Sequence, residues 1–146
     1  MSYPLVQPYL FFDNQCKEAI EFYKQALGAE VEAVMTFGDS PEPPPAEMQV
    51  DGWEDRVMHA AIRVAGQTLM MSDGCGDSPK FAGFSLALTY QDVDEVTRRF
   101  EALVDGGKVT MPLGETFWSP RYGMLTDRFG LSWMVMAECA NGSDAG

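Results

Sequence analysis

The chain has 146 residues, 46% of them apolar, with 22 acidic and 10 basic side chains and a formal net charge of −12. That length suits one ordinary hydrophobic core and is short for two independent domains. The acidic excess repels nucleic-acid phosphates and anionic membrane surfaces, and no run of the sequence reaches the roughly 20 apolar residues a membrane helix needs.

The N-terminus, Met1-Ser2-Tyr3-Pro4, lacks the basic stretch and apolar core of a secretory signal. Cys16, Cys75 and Cys139 are an odd, widely spaced set without a C-x-x-C pair, which fits free thiols in a reducing compartment. A cytoplasmic location is expected. Residues 5–12 are rich in β-formers and aromatics, and Asp13-Asn14 follows as a turn and helix cap. Cys16, Ala19, Ile20, Tyr23, Ala26 and Leu27 then recur at helical spacing until Gly28 supplies a C-terminal cap. Residues 31–37 read as a strand. Residues 38–53 contain Pro41-Glu42-Pro43-Pro44-Pro45, which cannot donate to a ladder and predicts an extended, exposed loop. Residues 57–64 and 67–72 read as two strands of a hairpin turning at Ala65-Gly66.

The pattern then restarts. Residues 84–90 read as a strand, and Asp92 with Glu95 gives a capping-box signature ahead of a helix carrying Val93, Val96, Phe100 and Leu103. Gly106-Gly107 ends it. Residues 108–111, 122–126 and 131–137 supply three more strands, with 127–130 turning between the last two, and the small polar tail 141–146 is expected to be disordered. Leu10 with Leu88, Phe22 with Phe100, Gly28 with Gly106 and Val31 with Val109 are offset by 78, whereas Gly66 with Gly130 and Met70 with Met134 are offset by 64. The shortfall of 14 residues matches the length of the Pro-rich insertion in the first copy. The chain therefore reads as one α+β domain over residues 1–140, made of two β-α-β-β-β units at 4–73 and 81–138.

A doubled β-α-β-β-β unit whose sheets curve around a trough resembles the vicinal oxygen chelate superfamily of glyoxalases, extradiol dioxygenases and bleomycin or fosfomycin resistance proteins. Pro8-Tyr9-Leu10, Phe22-Tyr23, Leu27-Gly28-Ala29, Met70-Met71-Ser72-Asp73, Glu115-Thr116-Phe117-Trp118, Arg121-Tyr122-Gly123 and Asp127-Arg128-Phe129-Gly130 with Trp133 are similar to its PhnB-like branch. Arg128 stands where that branch usually has proline. Some members of the branch bear the name demethylubiquinone methyltransferase, but no glycine-rich cofactor turn is visible here. Gly74-Cys75-Gly76 lacks a third glycine and leads into Asp77-Ser78-Pro79, and Gly107-Lys108 has Ala102 where a Walker glycine belongs. No cofactor is expected.

The resemblance implies metal-ligand positions at Gln7, at Met70 or Met71, at Phe84 or Ser85, and at Met134. Only Gln7 is a plausible oxygen donor, since thioethers suit soft ions such as Cu(I), so no inherited metal site is expected. His59, the only histidine, is the candidate catalytic residue; it reads either as a hydrogen-bonded structural group or as a polar or acid/base contact to a ligand. Strand alternation places Gln7 and Tyr9 on one face and Ser85 on the matching face of the second half, joined by Met70 and Met134 as a polarisable wall or as simple core filling. In related proteins a Trp and an Arg at this spacing border the trough, so Trp118 could stack on a ligand while Arg121 clamps its anionic group, unless Arg121 pairs with Glu115 or Asp127. The expected ligand set is Gln7, Tyr9, His59, Met70, Asp73, Ser85, Trp118, Arg121, Tyr122 and Met134. The function expected is binding of a small apolar or aromatic anionic molecule. The alternatives are an enzyme using His59, Asp73 or a non-standard set of His59, Asp73 and Glu138, and a protein acting through partner contacts. A homodimer is expected from the resemblance, with no nucleic-acid or membrane partner.

Overall fold

The computed structural model describes residues 4–49, 51–74 and 80–138. Cys75, Cys139 and the tail 141–146 lie outside them. Two compact units, Met1–Pro79 and Lys80–Gly146, each carry one helix and four strands. The first contains β1 (Tyr9–Phe11), α1 (Cys16–Leu27), β2 (Glu30–Thr36), β3 (Val57–Val64) and β4 (Gln67–Ser72); the second contains β5 (Leu86–Tyr90), α2 (Val93–Val104), β6 (Lys108–Gly114), β7 (Tyr122–Thr126) and β8 (Ser132–Ala137). Their sheets run β1-β4-β3-β2 and β5-β8-β7-β6, with β1 parallel to β4, β5 parallel to β8 and every other pairing antiparallel. The chain is thus an α+β protein of doubled β-α-β-β-β connectivity.

Backbone pairing tests the doubling directly. Tyr9 pairs with Met70, 61 residues later, and Ala87 pairs with Met134, 47 residues later. The difference is the same 14 residues. Within the helices the frame slips by one. Buried Ala19, Tyr23 and Ala26 match buried Val96, Phe100 and Leu103 at an offset of 77, whereas Phe22, the residue matched to Phe100 from sequence, is only half-buried. The extra residue in the first unit falls between strand and helix, where Asn14 adopts a left-handed φ of 59°.

Several local signals resolve differently from expectation. β1 begins only at Tyr9, because Pro4 and Pro8 have no amide proton to give a ladder, so Gln7 stands ahead of the strand. The Pro-rich stretch between β2 and β3 contains short 3₁₀ turns at Phe37–Asp39, Ala46–Met48 and Trp53–Asp55 rather than running extended throughout. β6 continues past Met111 to Gly114; it tolerates Pro112 because it is an edge strand with a bulge. The N-cap residue of α1 is Gln15, not Asp13 or Asn14, and it makes no side-chain cap. A distant group does that work: the Asp73 carboxylate, just past β4, accepts the Cys16 amide at 2.9 Å and the Val57 amide at 2.8 Å. Asp92 does not close a capping box either, since Glu95 is engaged by Arg98 and, at 2.6 Å, by Arg99. Those two arginines hold the Glu95 carboxyl below its ordinary pKa.

Each sheet is covered by its own helix on one face. In the first unit Leu10, Ala60, Ile62, Leu69 and Met71 are buried on the side of α1; in the second Leu88, Leu125, Trp133 and Val135 are buried on the side of α2. Burying each large apolar side chain contributes about 1.5–3 kcal/mol, and these layers supply most of the driving force. Gly123 permits the closest approach: a Cβ there would lie 2.9 Å from both Phe100 and Leu113. Asp127 shapes the last turn, accepting the amides of Phe129 and Leu131 and the Trp133 indole N–H at 2.9 Å.

Candidate functional site

With one face of each sheet spent on its helix, the opposite face is where function can be carried. In the first unit, pairing register puts Tyr9, Met70 and Ala61 side by side, with His59 and Phe11 flanking them and Met35 opposite His59. Tyr9 and Phe11 stack with ring centroids 5.0 Å apart and are 38% and 47% exposed. Such aromatics on a sheet face offer a platform for a flat ligand. The Tyr9 hydroxyl lies 3.0 Å from His59 Nδ1, with their rings 5.7 Å apart. When the imidazole carries its proton on Nε2, the phenol donates to Nδ1 and fixes the ring's orientation. Tyr9, His59 and Met70 therefore stand together on this face.

In the second unit the open face carries Ala87, Met134, Met124 and Met111 in one cross-strand row and Thr89, Met136 and Tyr122 in the next. Trp118 is 49% exposed and packs edge-on against Tyr122 with centroids 5.4 Å apart, while Phe117 packs against Trp118 and is otherwise in solvent. The loop presenting them is braced. Ser119 is buried; its hydroxyl shares its one proton between the carbonyls of Arg121 and Ala137, and its amide donates to Thr116 Oγ1.

Three expected ligand contacts are already engaged within the protein. Asp73 is 2% exposed, with both carboxylate oxygens accepting backbone amides. Arg121 donates to Thr97 on α2 rather than pairing with Glu115 or Asp127, because it precedes Tyr122 on β7 and alternation turns it toward the helix. Ser85 is hydrogen-bonded to Ser132 at 2.6 Å. Met111, Met124 and Met136, conversely, stand on the open face and escaped the sequence reading. For Met124 and Met136 the signal was present, since period-two alternation from Tyr122 and Met134 marks both. Met111 depended on a bulge in β6 that alternation does not foresee.

Cys16 is fully buried, and burial together with the nearby Asp73 carboxylate pushes its pKa up to about 12. It stays a neutral thiol, inert as a nucleophile. Among the described residues no three His, Cys, Asp or Glu side chains are grouped to hold a metal ion.

The family model described as the Glyoxalase/Bleomycin resistance protein/Dioxygenase superfamily matches residues 6–135. The chain belongs to that superfamily. Protein YjdN of Escherichia coli is similar to this superfamily member at 38% identity over 138 residues, covering 89% of this chain and 92% of YjdN. The crystal structure of protein PA1353 from Pseudomonas aeruginosa is 43% identical, with a TM-score of 0.81 over 93% of this chain and 98% of that one. A Bacillus cereus structure named putative 3-demethylubiquinone-9 3-methyltransferase, PhnB protein, is 27% identical, with a TM-score of 0.73 over 92% and 99% of the two chains. The likeness to the PhnB-like branch thus extends from sequence motifs to the fold.

The superfamily implies a divalent ion in some members, and the donor chemistry here does not fit one. Of the implied positions, Met71 is buried on the helix face, Met70 and Met134 present thioethers, and Ser85 is hydrogen-bonded to Ser132. Gln7 is left as one neutral oxygen donor. A hard or borderline divalent cation needs several imidazole, carboxylate or thiolate ligands.

Proposed function

We propose that this superfamily member binds a small, apolar or aromatic molecule bearing an anionic group on the open faces of its sheets, without the divalent ion used by metal-dependent relatives. The observation that carries the reading is the Tyr9–Phe11 stack beside the Tyr9–His59 hydrogen bond, which sets a planar apolar surface next to an oriented imidazole N–H donor. Methionines on the same faces add contacts that adapt to irregular ligands. With Arg121 drawn to Thr97, the ligand's anionic group falls to the His59 Nε2–H, which Tyr9 orients through Nδ1. The methyltransferase name of the Bacillus cereus relative finds no support in the Gly107-Lys108 segment, which opens strand β6 rather than a helix that could receive a phosphate.

The test is thermal stabilisation of the purified protein by aromatic carboxylates, against matched neutral amides and aliphatic acids. A ligand at 100 times its Kd adds about 2.7 kcal/mol of apparent stability. Tyr9→Phe and His59→Ala are expected to weaken that stabilisation while moving the ligand-free Tm little, as half-exposed positions do. Equal response to aromatic and aliphatic acids would refute the reading.

The oriented imidazole favours a second reading, an enzyme in which His59 acts as acid or base. It requires that His59→Ala abolish turnover without loss of fold. We further propose that the protein is a cytoplasmic homodimer, supported by its cysteine usage and by the apolar side chains left exposed on both sheets. Among the described residues no helix is long and apolar enough to cross a membrane. Light scattering at micromolar concentration and cell fractionation check the two statements.

A further inference from the structure

The internal doubling supplies a control for the methionines of the second unit. The row Ala87, Met134, Met124, Met111 occupies the positions that Tyr9, Met70, Ala61 and Ala33 occupy in the first unit's sheet. Both edge strands carry the same bulge, between Val31 and Ala33 and between Val109 and Met111. The first unit keeps the fold with alanine at two of these positions, so the architecture does not demand Met111 and Met124. Nor does core packing, because the α2 face is filled by Leu88, Leu125, Trp133 and Val135, with no methionine among them.

The register brings the three thioethers into reach of one another. Met111 is directly opposite Met124, and Met124 directly opposite Met134, on three neighbouring strands. Directly opposed side chains have Cβ atoms about 4.5–5.5 Å apart, and methionine's unbranched side chain can turn its sulfur toward either neighbour. The bulge matters here: continuing the Val109–Leu125 register without it would set Thr110 opposite Met124. No carboxylate or imidazole stands in the row, so its donor set is purely soft.

We propose that Met111, Met124 and Met134 form a thioether site for a soft monovalent cation of the Cu(I) or Ag(I) class. Thioethers bind such ions and discriminate against Zn(II), Mn(II) and Mg(II), whose preferred donors are nitrogen, oxygen or thiolate. Methionine also coordinates without losing a proton, so binding at this site is nearly independent of pH.

The test uses the full chain carrying Cys75→Ser and Cys139→Ser, which removes competing thiols, with Ag(I) nitrate in a chloride-free buffer. Methionine methyl resonances are followed by NMR. One equivalent of Ag(I) is expected to move the methyls of Met111, Met124 and Met134 together, and Zn(II) to leave them in place. Met124→Leu preserves volume and is expected to weaken binding at least about tenfold, with the methyl resonances of Leu88, Leu125 and Val135 on the α2 face unchanged as the check on folding. His59→Ala, a change in the other sheet, is expected to leave the Ag(I)-induced shifts of the three methyls as they are. Silver that leaves the three methyls unmoved, binds equally well to Met124→Leu, or is matched by Zn(II) would overturn the site. The aromatic-acid binding proposed above is indifferent to each of these outcomes.

Discussion

At the scale of single residues, the informative distinction is between polar groups spent on structure and polar groups left for a ligand. Asp73 and Asp127 are both buried carboxylates that accept main-chain amides. Replacing Asp73 with Ala strands two buried N–H donors, and chemical denaturation is expected to show a loss of about 3 kcal/mol. Cys16 sets a pH limit through its raised pKa. A thiol that holds its proton more tightly when folded contributes stability present below its unfolded pKa of about 9 and lost as pH rises toward 12. Alkaline unfolding in that window is therefore expected to move to higher pH in Cys16→Ala, measured relative to that variant's own stability at neutral pH. These roles were hidden in the sequence. Asp73 looked like a ligand contact because its motif position was visible while its partners, at Cys16 and Val57, are distant along the chain.

Among elements, the glycines separate two physical effects. Gly28 ends α1 in the left-handed region at φ 69° with open space where a Cβ would go. Gly28→Ala is expected to cost about 1 kcal/mol, the conformational penalty alone. At Gly107 a Cβ would lie 2.1 Å from the Thr126 carbonyl oxygen, a clash with backbone that only movement of β6 or β7 relieves. Gly107→Ala is expected to lower stability by well over 2 kcal/mol, and comparing the two variants' denaturation midpoints checks the ranking. Sequence reading anticipated both helices, the β3–β4 hairpin and the boundaries of β7, because periodicity and turn residues are local signals. It placed Gly28 and Asp92 correctly as the cap residues of α1 and α2, but missed that Asp73 accepts the first amide of α1 and that Arg98 and Arg99 draw Glu95 away from a capping box.

For the whole molecule, 22 acidic against 10 basic residues outweigh the few ion pairs between described residues, which are mostly exposed. Net repulsion then dominates the electrostatics, and Tm is expected to rise by a few degrees as salt increases from about 10 mM to about 300 mM. A fall in Tm would mean that attractive pairs prevail. The sequence by itself determined the doubling, since the 14-residue difference between the two frames reappears in the β1–β4 and β5–β8 pairings. It also carried the motifs that resemble the superfamily, and it determined the apolar stripe of each helix, which follows from residue spacing along the chain. Only the tertiary structure decided that Tyr9 meets His59, that Arg121 turns to Thr97, and that a bulge swings Met111 opposite Met124. Each of those depends on strand register and on which face a helix covers, and both are settled by packing between segments many residues apart.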